Sequence, residues 1–179
     1  MRLTGRGSRE WIAMMESARV IVGVDGSHSS LGVVRRAAVE ARKRDALLVP
    51  VIAWRASDDE ALRPFSELRH SARGRLDTVL ELAFDGLPTG VRTQPLVLRG
   101  EPGRALVATA DRGDDLLVVG SGRPGPARQI VHGPVTRHCW THAVCEVLIV
   151  PRATPVLPAG FDLAAEPVPH CHAGFAYEN

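Results

Sequence analysis

A chain of 179 residues, 45% of them hydrophobic, has the length and apolar content of one ordinary globular domain with short extensions. Its 22 Lys and Arg stand against 20 Asp and Glu, a net charge of +2 that is too even for a nucleic-acid footprint. No apolar run approaches the roughly 18 residues of a membrane span, the first twenty residues hold no signal-peptide core, and three late cysteines (Cys139, Cys145, Cys171) make no disulfide framework, so the expected home is a reducing cytoplasm, with neither nucleic acid nor membrane as partner.

In chain order, Arg19 to Asp25 (RVIVGVD) is a short β-branched apolar run, the pattern of a strand buried on both faces. GSHSS follows, with a glycine for the turn and serines suited to capping a helix. Leu31, Val34, Ala38 and Ala41 then recur at helical steps, with Arg35, Arg36, Arg42 and Lys43 mostly on the other side. Leu47–Trp54 (LLVPVIAW) reads as a second strand, interrupted by Pro50, which cannot donate to a ladder. From Phe65 to about Asp85, the positions Leu68, Ala72, Leu76, Val79, Leu80 and Ala83 mark one face of a second helix. The segment VRTQPLVL is a third strand, Gly103 to Arg112 a short helix opened by EPG, and Asp115–Gly120 a fourth strand. A Gly/Pro-rich loop leads to a helix over Pro134–His142 and a fifth strand over Glu146–Val150. Strands alternating with helices predict an α/β domain, doubly wound, with a parallel sheet and helices on both faces. The domain is expected over residues 18–152, flanked by an N-terminal extension over 1–17 and a flexible Pro/Ala/Gly-rich tail over 153–179.

Open α/β sheets bind ligands beyond the carboxyl ends of their strands, where the strand order reverses. Two strands end in suggestive chemistry: the first in Val24-Asp25-Gly26-Ser27 and the fourth in Val119-Gly120-Ser121-Gly122. If they are neighbours, Asp25 can accept from a hydroxyl or an amine while the glycine loop offers N–H groups to phosphate. The plainer alternative is that Asp25 and the glycines only shape turns. Gly120, Gly122 and Gly125 also spell the dinucleotide fingerprint, but after the fourth strand and with Pro124 and Pro126 around the last glycine, so NAD binding is set aside.

Three stretches in this order, VIVGVDGSHSS, LRGEPGRALVATADRGDDLLVVGSGR and VHGPVTRHCWTHAVCEVLIVPR, resemble the universal stress protein family, and the likeness extends over most of the chain. The resemblance implies a five-stranded parallel sheet of the adenine nucleotide alpha hydrolase-like kind, with strand order 3-2-1-4-5, which sets strands one and four side by side. It also implies a stress-response role and ATP, with Mg²⁺, as ligand. In the ATP-binding members a glycine, a second glycine three positions on, and a later Gly-Ser or Gly-Thr line the phosphates. Gly120 and Gly133 match the outer glycines, whereas Arg123 replaces the middle one and Pro134 the hydroxyl. Asp25 matches the aspartate on the ribose and adenine side, and Val51 the residue whose backbone reads the base. The implied nucleotide site is thus Val24, Asp25, Gly26, Ser27, Val51, Val119, Gly120, Gly122, Arg123, Gly133, Pro134 and Val135. The resemblance further implies a homodimer through the last strand, near Glu146–Val150.

No Ser–His–acid or paired-carboxylate arrangement can be assembled from spacing, and an enzyme is not expected, although a slow ATPase is one alternative. The other is a family member that has lost ATP and works as a dimeric interaction module. His138 and His142, four apart on a helix, and His170-Cys171-His172 in the tail are the candidate metal groups; the first lacks the glutamate of a catalytic zinc helix, and no metal is assigned to either. His28 lies in the ligand loop within reach of a phosphate. Trp54 either stacks on a base or packs in the core, and Cys145 reads as a small buried residue rather than a nucleophile.

Overall fold

A computed structural model of the chain describes residues 18–56, 63–122 and 133–151. Five strands, β1 (Arg19–Val24), β2 (Leu47–Trp54), β3 (Leu96–Arg99), β4 (Leu116–Gly120) and β5 (Glu146–Val150), alternate with four helices. These are α1 (Ser29–Lys43), α2 (Phe65–Phe84), α3 (Pro102–Thr109) and α4 (Pro134–His142). All strand pairings are parallel, in the order β3-β2-β1-β4-β5. The expected fold and strand order are what the structure has.

The two-residue period of a strand divides the core into two layers. Val20, Val22 and Val24 of β1 face α1 and α2, where Val34, Ala38, Leu76 and Leu80 bury their side chains. Ile21 faces the other way, toward Leu106 of α3 and Cys139 of α4. The strands are apolar on both faces because each face is covered by a helical layer.

The third strand is shorter than the run Val91–Leu98 predicts. Leu48 of β2 bonds sideways through both its groups, donating to Arg92 O (2.9 Å) and accepting from Gln94 N (2.8 Å). By the strand period Pro50 turns the same edge outward and has no N–H to offer there. Contact with the third segment therefore starts as an isolated bridge at Thr93, breaks across Gln94–Pro95, and resumes where Val51 pairs with Leu96. Helix α3 also stops short of its expected end, closing at the Ala110 N–H to Leu106 O bond.

The residues beyond that end serve an ion-pair network. Arg19, at the start of β1, donates from Nε and Nη2 to the two carboxylate oxygens of Asp115 (2.9 and 2.6 Å), and from Nη2 to Asp111. The pair joins the entrance of β4 to that of β1; the Asp115 side chain is fully buried and accepts a further, local bond from the Arg112 N–H (3.1 Å). Breaking a buried pair strands the remaining charge. Asp115→Asn is therefore expected to lower unfolding stability by about 3 kcal/mol in urea titrations. Asp111→Asn, at an exposed carboxylate, is expected to leave the midpoint unchanged; equal effects from the two would refute the assignment.

Candidate functional site

Because β1 pairs with β2 on one side and β4 on the other, the loops after β1 and β4 diverge to opposite faces of the sheet. Between them, at the carboxyl ends of the strands, lies a cleft of about 680 Å³. That volume falls within the range of about 300–1,000 Å³ typical of small-molecule sites. The cleft floor is strand ends and its rim is helix starts: Ser29 and Ser30 of α1, Pro102 of α3, and Pro134 to Arg137 of α4. No acidic residue stands in the first turn of any of these three helices. Their N-terminal N–H groups and dipoles favour an anion.

Asp25, one residue past β1, is fixed by its own loop. Its Oδ1 accepts from the Ser27 N–H (2.9 Å), the Ser27 hydroxyl (2.6 Å) and the Ser30 hydroxyl (2.5 Å). Partial burial pushes its pKa up, but the hydroxyls of Ser27 and Ser30 and the Ser27 N–H outweigh this and hold the carboxyl below its ordinary value. The serines were expected to cap α1. They do not: His28 is the N-cap, no side chain makes the capping bond, and the hydroxyls are engaged in holding Asp25.

On the opposite side, buried Thr136 donates its hydroxyl to Gly120 O (2.7 Å), tying the first turn of α4 to the end of β4. Gly133 N donates to Ser121 O (3.3 Å), and Ser121 N to Val150 O (2.9 Å), so the start of α4 and the end of β5 are stitched to one short loop. Gly122 sits at φ +84°, a conformation open to glycine at little cost.

Of the residues implied from sequence, Val24, Asp25, Val51, Val119, Gly120, Gly122, Gly133, Pro134 and Val135 line this cleft together. Gly26 and Ser27 are not on the lining, and Arg123 lies outside the described residues. His28 is exposed and does not line the cleft. Trp54 is a core residue, 6.2 Å from the Phe65 ring between centroids, and takes no part in the lining. Sequence reasoning missed Ser30, Val33, Leu106, Arg75 and Arg137, all of which line the cleft. Ser30 had a signal, a hydroxyl five residues after a strand-ending aspartate. The arginines had none, since on a helix they read as solvated charges.

The remaining candidates lie elsewhere. His138 and His142 stack with ring centroids 4.2 Å apart, and the His142 Nδ1 lies 2.9 Å from His138 O. Among the described residues no group of three or more His, Cys, Asp or Glu comes together as a metal site. His170, Cys171 and His172 fall outside the described residues. Burial pushes the Cys139 thiol up to about 11 and raises that of half-buried Cys145, the reverse of nucleophile activation. Among the described residues no helix is long and apolar enough to cross a membrane.

An α/β sheet of this order, with a cleft between the ends of β1 and β4, defines a doubly wound architecture with its crevice at the switch point of strand order. The universal stress protein family model matches residues 16–151, and the chain belongs to that family. No curated protein matches it. Among solved structures, a universal stress protein in complex with cAMP is 28% identical, with 76% of this chain and 98% of that one covered and a TM-score of 0.52. UspA from Lactobacillus plantarum is 19% identical over 75% of this chain and 97% of that one, at a TM-score of 0.57. The universal stress protein from Archaeoglobus fulgidus is 22% identical over 74% and 97%, at 0.53.

The Asp25 cluster makes a pH prediction. A carboxyl whose folded pKa is depressed contributes stability above its unfolded pKa of about 3.9, and that contribution is lost as pH falls through the folded value. Ser30→Ala is expected to move the Asp25 titration, followed by carboxyl NMR, upward, and to cost stability at neutral pH but not in strong acid. An unmoved titration would show that the hydroxyl does not hold the carboxylate.

Proposed function

We propose that this chain binds an adenine nucleotide in the cleft at the carboxyl edge of its sheet and acts as a stress-response regulator through occupancy rather than turnover. The observation that carries the proposal is convergence: Asp25, the glycines at 120, 122 and 133, and three helix first turns free of acidic residues share one cleft. Family membership supports it, and so does the related protein, 28% identical, whose structure holds cAMP. In this reading Asp25 engages the ribose and adenine side, and the backbone of Val51 reads the base. Val24, Gly26, Ser27, Val119, Gly120, Gly122, Arg123, Gly133, Pro134 and Val135 complete the site. The ligand proposed is ATP with Mg²⁺, the ion carried on the phosphates, since the described residues assemble no metal cluster of their own. The binding unit is the domain over residues 18–152, in a cytoplasmic protein.

One observation favours a second reading, a nucleotide-free interaction module. Pro134, at the first position of α4, offers neither a hydroxyl nor an N–H where the family's ATP-binding members carry Ser or Thr. Calorimetry separates the two. Wild-type protein titrated with ATP and Mg²⁺, and with cAMP, is expected to release heat, and Asp25→Ala to weaken binding at least tenfold. Silence with both ligands favours the module; equal binding by both proteins removes Asp25 from the site.

We also propose a homodimer through β5. Among the described residues that strand pairs only with β4, and Val147, Leu148, Ile149 and Val150 all remain partly exposed. Sedimentation at micromolar concentration is expected to give twice the chain mass, and a pure monomer would overturn the assignment.

A further inference from the structure

Most arginines among the described residues are spoken for. Arg19, Arg36, Arg44, Arg55, Arg63 and Arg73 each meet a carboxylate, and Arg35 and Arg42 reach backbone carbonyls. Two of the cleft's lining residues, Arg75 and Arg137, are exceptions: among the described residues neither guanidinium has a hydrogen-bond or ion-pair partner. They enter from opposite layers, Arg75 from α2 and Arg137 from α4. The one acidic side chain on the lining, Asp25, has its Oδ1 engaged by Ser27 and Ser30 rather than by either arginine.

Arg75 packs closely against a glycine turn. A Cβ on Gly26, itself at φ +82°, would lie 3.2 Å from both the Cβ and Cδ of Arg75. The arginine stem lies against the bare turn after β1, and the residue is on the cleft lining. Arg137 follows Pro134 by three residues, within the first turn of α4. A guanidinium offers five N–H donors in a planar fork matched to phosphate, next to the position where Pro134 supplies none.

We infer that Arg75 and Arg137 are specificity-determining residues that select the cleft's ligand by its negative charge, so that a nucleoside polyphosphate is preferred over the bare nucleoside. The inference rests on the adenine-nucleotide reading above and deepens it. Discrimination lies in two side-chain cations on opposite walls, Arg75 against the Gly26 turn and Arg137 in the first turn of α4. It is therefore electrostatic and weakens as salt screens it.

The test is calorimetric titration of the full chain with adenosine and with ATP plus Mg²⁺, using wild type, Arg75→Gln, Arg137→Gln, the double variant, and Arg69→Gln as an exposed α2 arginine off the cleft. Wild type is expected to prefer ATP over adenosine by about a hundredfold, each substitution removing about tenfold of that preference as one charge-assisted contact is lost. Adenosine affinity is expected to stay unchanged in every variant, and Arg69→Gln to behave as wild type. A double variant that keeps the full preference for ATP overturns the inference while leaving nucleotide binding intact. A wild type that binds neither compound overturns the nucleotide reading and this inference with it.

Discussion

Strand β1 is paired along both edges, with β2 over its whole length and with β4 over Val20–Val22, and this double pairing fixes where everything else can go. The chain leaves β1 toward the layer of α1 and α2, and leaves β4 toward the layer of α4. Parallel neighbours whose crossovers depart to opposite faces cannot close the space between their ends, so a crevice follows from the topology alone. What the crevice can hold is then decided by the few residues at its edge. Asp25 supplies one acceptor whose orientation is set by two serines within five residues of it. The loop after β4 is secured through Thr136, Ser121 and Gly133, so both banks are anchored to the sheet rather than to each other.

Periodicity made most of the fold legible. The apolar runs of β1, β2, β4 and β5 and the helical spacing of α1 and α2 come from burial, which leaves its imprint on every second or every third and fourth residue. The third strand was less legible because its boundary depends on a neighbour: Pro50 of β2 withholds the bond that would have extended it. At the site, the strand-end aspartate and the glycines were visible because they break a local pattern. Ser27 and Ser30 were read as helix caps, since sequence does not reveal which of two nearby acceptors a hydroxyl will take. Arg75 and Arg137 were invisible for a different reason. A surface arginine and a cleft arginine look alike until tertiary structure brings α2 and α4 to the same opening.

The two ends of the sheet differ in their electrostatics. At the amino end Arg19 lies between Asp111 and Asp115, a charge-matched arrangement with the Asp115 side chain sealed from water. At the carboxyl end the cations face an open cleft, and the only carboxylate on the lining is engaged with serine hydroxyls. Arg55 and Glu101 are also paired near the carboxyl end, so the uncompensated charge there is that of Arg75 and Arg137 on the cleft.

Two of the helices that open onto the cleft, α3 and α4, each begin with a proline, Pro102 and Pro134. The pyrrolidine ring fixes φ near the helical value, so each first turn has few other conformations to visit even when nothing is bound. Proline at these two positions reduces the conformational entropy that the helix starts have to lose in becoming ordered. In this respect the cleft is preformed at two of its helix starts, whose backbone conformation is set by the chain itself.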